Sequence, residues 1–137
     1  MSTTSGRKRL RFDRAEITEE AGGQCRVDVT LALGQLLFQA DATDSADETG
    51  RLKAAAAATL KAVQEAAANK FTCSLSDLDH VNALGKDLIA VLVDFKFEGR
   101  DVQVFGSCQI AGSEIDSAVK SALNATNRMF ELAMHAE

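Results

Sequence analysis

The sequence has no proline, tryptophan or tyrosine, and seven phenylalanines supply all of its aromatic bulk. It also has no apolar run close to the roughly 20 residues that a membrane helix needs. Its first twenty residues are polar and basic, without the apolar core of a signal peptide. We therefore expect a chain with no membrane-spanning segment and a cytoplasmic location.

Cysteine is scarce, and its placement fits a reducing compartment. Cys25, Cys73 and Cys108 are an odd number, lie far apart and form no C-x-x-C pair. That pattern is typical of reduced thiols in a cytoplasm. All three fall on the apolar phase of predicted strands, so we expect small core residues. A buried thiol is a poor nucleophile because burial disfavours its thiolate.

Basic residues are too few to indicate a nucleic-acid-binding surface. The chain has 20 acidic and 15 basic residues, for a formal net charge of −5, whereas phosphate contacts need a concentrated basic patch. We interpret the single basic cluster as a solubilising arm that follows a loose tail at residues 2–6, with nucleic-acid contact as the alternative. The cluster consists of Arg7, Lys8, Arg9, Arg11 and Arg14.

Motifs for catalysis are missing. There is no Ser-His-Asp order, no phosphate-binding loop and no dinucleotide-binding glycine fingerprint. His80 has Asp77 and Asp79 beside it, which would suit a metal corner, but we favour a histidine that faces solvent at a strand end. His135 falls in the last turn of the last predicted helix, where an imidazole suits the helix C-terminus. We therefore expect no enzyme activity, no metal site and no cofactor.

An acidic loop precedes the first predicted helix. Its acidic residues are Asp41, Asp44, Asp47 and Glu48. The segment from Ser45 to Glu48 matches a capping box, and acidic groups there complement the helix dipole. A cation site is the alternative, although the spacing fits no EF-hand.

Hydrophobic periodicity divides the chain into two similar halves. Each half alternates with period 2 through three segments and then changes to period 3.6. The phase slips in the first segment of each half, between Phe12 and Ala15 and again near Asp77, as a β-bulge would cause. The predicted elements are strands near residues 10–17, 25–33, 36–42, from 71, 89–97 and 102–110, and helices near 52–69 and from 113 onward.

The shared order predicts an α+β fold made of two βββα repeats. The repeats span residues 8–69 and 71–136, within a single domain of residues 1–137. Pairing Gly34 with Gly99 is one of the residue matches that support the repeat. We expect antiparallel sheets with both helices packed on one face.

The second half also carries a family resemblance. The run Val104-Phe105-Gly106-Ser107 and the run from Gly112 to Ala118 resemble the C-terminal regulatory domain of 2-isopropylmalate and citramalate synthases. The resemblance implies two βββα units that pair in a dimer and bind an amino-acid feedback inhibitor. The Gly-x-Gly that precedes the helix in that family is Ala111-Gly112-Ser113 here, and we expect no catalytic barrel. The alanine pattern from Ala55 to Ala62 also looks like small uncharacterised bacterial proteins.

A ligand site is predicted at the start of the second helix. Gly106 and Gly112 would let a small ligand approach the backbone, and free amides beside Ser113 and Glu114 would hold a carboxylate. The alternative is that both glycines serve close packing and a turn. The corresponding first-half segment is Thr43 to Gly50. We predict a small carboxylate at this site, or the amino acid that the resemblance implies.

A dimer interface is predicted on the sheet face that the helices leave uncovered. In the second half this face carries Leu88, Ala90, Leu92 and Phe105, and each large side chain left in water would forgo about 1.5–3 kcal/mol. A contiguous apolar patch of this kind marks a partner surface, and the simplest partner is a second copy. The alternative is that the sheets of the two halves pack on each other within one chain. The matching first-half face is polar and carries Arg26, Asp28, Thr30, Gln39 and Asp41.

Together these features predict a stand-alone regulatory domain that binds a small molecule, forms a homodimer and has no catalytic activity. The alternative function is a protein-interaction or assembly module without a small ligand. A ligand-binding domain should be stabilised by a specific carboxylate or amino acid, whereas an interaction module should not.

Overall fold

The structure, a computed structural model, describes residues 9–135. The predicted tail at residues 2–6, the basic residues Arg7 and Lys8 and the outermost repeat positions 8 and 136 lie outside the described residues. The elements are β1 (Arg11–Glu20), β2 (Gln24–Leu33), β3 (Leu36–Ser45), α1 (Glu48–Ala66), β4 (Thr72–Ala83), β5 (Lys86–Phe97), β6 (Arg100–Gln109) and α2 (Glu114–His135).

The strands form two three-stranded antiparallel sheets, in the orders β1-β2-β3 and β4-β5-β6, and one helix follows each sheet. This order confirms the predicted α+β fold of two βββα units. The central strands β2 and β5 alternate as expected for a sheet with one buried face. Their buried residues include Cys25, Val27 and Val29 in β2 and Val91 and Val93 in β5.

The first strand of each sheet contains the predicted β-bulge. The register shifts between Phe12 and Arg14 in β1 and between Leu75 and Asp77 in β4. An extra residue in an edge strand bends it and increases its twist. The bulge therefore helps each sheet to curve around the helix that covers it.

The second hairpin of each half shows how the repeats correspond. Leu33 pairs with Leu36, and Phe97 pairs with Arg100, so each hairpin has a two-residue turn. Gly34 is the first residue of its turn. Gly99 is the second residue of its turn, and the first is Glu98, which has φ 53°. The sequence match of Gly34 with Gly99 is therefore wrong by one position, and Leu33 is the equivalent of Phe97.

The helix starts differ slightly from the sequence prediction. Asp47, not Ser45, is the N-cap of α1, and its side chain accepts a hydrogen bond from the amide of Gly50. The helix ends at Ala66 rather than near Asn69, since Ala68 and Asn69 have positive φ. At α2, Ser113 caps the helix, because Ser113 Oγ accepts a hydrogen bond from the amide of Asp116 at 3.2 Å.

The two helices pack on each other and cover the buried faces of the sheets. Helix α1 contacts β2, β3 and β4, and α2 contacts β5, β6 and β1. Small side chains on both helices permit this close approach, among them Ala58 and Ala62 of α1 and Ala118 and Ala122 of α2, all fully buried. The core is thus one contiguous cluster shared by both halves.

Candidate functional site

The outer face of the second sheet is an apolar surface that the helices leave uncovered. The sheet register places Leu92 beside Phe105, with Ala90 and Leu88 further along the same face of β5. Leu88, Ala90 and Leu92 are half-buried, whereas Phe105 is 66% exposed. We call these four residues and Val81, which pairs with Leu88 from β4, the outer patch. The structure therefore brings together all four residues predicted for the dimer interface.

The outer patch forms a shallow depression of about 430 Å³. Asp77 and Asp79 of β4 line one side, and Ser107 of β6 lines the other. Leu84, at the tip of the β4–β5 hairpin, is fully exposed and has φ 54°. A leucine in that conformation costs backbone energy, and among residues 9–135 its side chain is left fully open to solvent.

The equivalent face of the first sheet is polar at the matching positions, and its exposed apolar side chain is Leu37, which is 62% exposed. Counting back from the two hairpins places Asp28 at the position of Leu92, Arg26 at that of Ala90, and Asp41 at that of Phe105. Arg26 lies 3.3 Å from a carboxylate oxygen of Asp28 and 3.3 Å from one of Glu20. Thr30, expected on this face, is buried. Ion pairs and hydrogen-bonding groups thus stand where the second sheet carries apolar side chains.

The two outer faces are not packed against each other within one chain. The helices cover the opposite, buried faces of both sheets, and two thirds of Phe105 is open to solvent. The internal arrangement considered above as an alternative is therefore not the one that this chain adopts. The outer patch remains available to a partner.

The residues predicted for ligand binding do not all meet. Gly106 is buried against α2, and an added Cβ would overlap the backbone of Ser121 and Ala125, so this glycine serves close packing. Gly112 is exposed, with φ 96°, and makes the turn into the helix. Ser113 and Glu114 follow it at the helix start. The predicted ligand site therefore depends on the residues at the start of α2, and Gly106 does not belong to it.

A cleft of about 410 Å³ lies where the starts of α1 and α2 meet. The cleft brings together the start of α2, where the ligand site is predicted, and part of the corresponding first-half segment from Thr43 to Gly50. Arg51 is its one basic lining residue, and its guanidinium is engaged with Glu19 at 3.0 Å and with the carbonyl oxygen of Ala46 at 2.8 Å. The cleft is lined by Ala46, Glu48, Arg51, Leu52, Glu114 and Ile115.

His80 lies at the edge of this cleft and away from its sequence neighbours. The register pairs His80 with Ile89, whose side chain is buried, and pairs Asp79 with Ala90 on the outer face. Neighbouring residues of a strand point to opposite faces, so His80 and Asp79 do not form the metal corner considered above. The His80 imidazole lies instead 3.8 Å from Asp87 and 4.0 Å from Glu114. Sequence reasoning missed this grouping.

The cysteines differ in burial. Cys25 and Cys73 are buried, as expected, but Cys108 is only half-buried. Burial raises the pKa of Cys73 from 9.0 to about 12. That thiol is therefore neutral at ordinary pH and a poor nucleophile.

Comparison with known proteins gives no family for this chain. No family model matches it, and no curated protein matches it significantly. Within residues 9–135, no helix is long and apolar enough to cross a membrane.

Proposed function

We propose that this chain is a homodimeric regulatory domain that binds a small molecule, carries out no catalysis and pairs through the outer patch. The observation that carries the proposal is the difference between the two outer faces at equivalent positions, apolar in the second sheet and polar in the first. A cytoplasmic location is part of the proposal, and the three free thiols support it.

Burial of the outer patch favours pairing with a second copy. Covering Phe105 completely would contribute about 1–2 kcal/mol, and the half-buried leucines would add smaller amounts. A two-fold axis through the patch would double each contribution, because every residue would be buried twice. Leu84, at the hairpin that adjoins the patch, would gain a covered position in the same contact.

The cleft between the helix starts is the place we propose for the ligand. It combines apolar side chains, Leu52 and Ile115, with the charged groups of Arg51, Glu48 and Glu114. An amino acid has both a carboxylate and an ammonium group, and charges of both signs line the cleft. This matches the inhibitor class that the resemblance to the synthase regulatory domains implies.

The pairing is tested with Phe105→Asp and Leu92→Asp. The first sheet holds Asp41 and Asp28 at the equivalent positions, so the fold tolerates aspartate there. We expect both variants to remain folded by circular dichroism and to sediment as monomers, while the unmodified chain sediments as a dimer. Asp41→Asn, on the polar face, is the matched control and should remain dimeric. Variants that keep the mass of the unmodified chain would contradict the proposal.

An interaction module without a small ligand is the second candidate. The observation that favours it is the acidic lining of the cleft, since Glu48 and Glu114 would repel a free carboxylate. Thermal unfolding in the presence of each of the twenty amino acids separates the two candidates. A rise in melting temperature with one or a few of them, lost in Arg51→Gln, supports the regulatory domain. No rise with any of them favours the interaction module.

A further inference from the structure

Three side chains from different elements meet beside the cleft. Glu48 is the first residue of α1, Glu114 is the first residue of α2, and His80 belongs to β4. One ligand atom from each lies within 4.8 Å of the other two. His80 Nδ1 lies 4.0 Å from Glu114 Oε2.

Helix capping does not account for this grouping. An acidic residue in the first turn complements the helix dipole, which explains Glu48 and Glu114 separately. It does not explain why both carboxylates approach the same imidazole, nor why they approach each other. Two carboxylates at this distance repel each other by about 1 kcal/mol even in water. Arg51 lines the same cleft, but its guanidinium donates hydrogen bonds to Glu19 and to the carbonyl oxygen of Ala46.

We propose that Glu48, His80 and Glu114 bind one divalent transition-metal ion, with zinc as its representative. One imidazole nitrogen and two carboxylate oxygens are a donor set that such ions accept. With edges of at most 4.8 Å, an ion at the centre of this triangle lies about 2.8 Å from each corner at the widest, against roughly 2.0–2.2 Å in zinc sites. Glu48 and His80 are exposed, so rotation of their side chains closes this gap.

Asp87 completes the arrangement behind the histidine. Its carboxylate oxygen lies 3.8 Å from His80 Nε2, the ring nitrogen that does not face Glu114. Metal-binding histidines commonly donate their second ring N–H to a carboxylate, which fixes the tautomer and the orientation of the ring. Asp87 Oδ1 also accepts a hydrogen bond from Asn82 at 3.0 Å, and a rotation of the imidazole would bring Nε2 within hydrogen-bonding distance of it, so we assign Asp87 a positioning role and not a ligand role.

Three protein ligands leave the ion with an open coordination position toward the cleft. Zinc sites with three protein ligands bind water or a small molecule at the fourth position. A bound divalent cation would also neutralise the two glutamates, so that a carboxylate ligand could bind the ion instead of being repelled. This consequence rests on the proposed ligand function, whereas the metal site itself rests only on the three side chains.

Calorimetric titration of the metal-free chain with zinc chloride tests the site. We expect saturable binding of one ion per chain, and binding at least tenfold weaker in His80→Gln and in Glu114→Gln. Asp87→Asn should weaken binding by about tenfold through the orientation of His80. His135→Gln and Cys108→Ser are matched controls for the other histidine and the accessible thiol, and both should bind as the unmodified chain does.

Three results would overturn the metal site. The first is the absence of saturable zinc binding, the second is binding that His80→Gln leaves unchanged, and the third is loss of binding in Phe105→Asp. Phe105→Asp separates this proposal from the dimer, because all three ligands belong to one chain. Zinc binding at unchanged affinity in that variant supports the site, and loss of binding there contradicts it.

Discussion

The two halves of this chain have the same order of strands and helix, yet they differ on their outer faces. Their buried faces are alike, since Val27 and Val29 of β2 are equivalent to Val91 and Val93 of β5. Their exposed faces diverge, as Asp28 against Leu92 shows. The alternating buried residues are enough to specify the βββα unit, so the outward residues were free to acquire a separate role. Pairing is the role we propose for the second sheet.

A second difference lies beneath the helices. Ala42 of β3 and Gly106 of β6 are equivalent, since they pair with Val27 and Val91 of the central strands. Ala42 has room for its methyl group, whereas a methyl at Gly106 would overlap the backbone of α2. Helix α2 therefore lies closer to its third strand at this point than a side chain there would allow.

The largest expected effect comes from exchanging these two residues. Gly106→Ala should lower the free energy of unfolding by about 3 kcal/mol, because α2 must move away from β6. Ala42→Gly should cost only about 1 kcal/mol, through chain entropy and one lost methyl. Urea unfolding of both variants measures the contrast. Equal and small losses would show that the two helices sit alike on their sheets.

An intermediate effect is expected at the thiols. Cys108 of the second half should react with iodoacetamide at least tenfold faster than the buried Cys73, whose pKa is raised to about 12. Mass spectrometry of partly alkylated chains shows which of the two cysteines reacts first. Faster reaction of Cys73 than of Cys108 would contradict the burial described for β4.

The stability of the fold should also depend on the ionisation of Cys73. The pKa of Cys73 is higher in the folded than in the unfolded chain, so its neutral thiol stabilises the fold below pH 9.0, and this stability is lost as the pH rises toward 12.

The smallest effect is expected on the polar outer face. Arg26→Gln removes the ion pairs with Asp28 and Glu20, and exposed pairs of this kind contribute less than about 1 kcal/mol. The variant should therefore unfold within about 0.5 kcal/mol of the unmodified chain and keep its oligomeric mass. A change of mass in this variant would place an interface on the first sheet and would remove the contrast between the halves.

The sequence predicts the fold of each half because alternation and helical periodicity are local properties. It predicts the outer patch as well, since a strand with one buried face must present its other residues outward. Both bulges were visible as slips of phase, near Phe12 and near Asp77.

Contacts between elements could not be predicted in the same way. Gly106 fits a ligand approach and a helix contact equally well in the sequence, and only the position of α2 decides between them. Glu48, His80 and Glu114 are far apart in the chain and share no motif. The available signal was that Glu48 and Glu114 open the helices of two repeated units, so they occupy matching places in the fold.

The solution mass of the unmodified chain tests the central claim most directly. Sedimentation velocity over a range of micromolar concentrations should show a species of twice the chain mass of 14.6 kDa, with dissociation on dilution. Pairing of two copies through the outer patch would produce this dimer. A strict monomer throughout the range would contradict the account, because the apolar face of the second sheet would then have no copy of the chain to cover it.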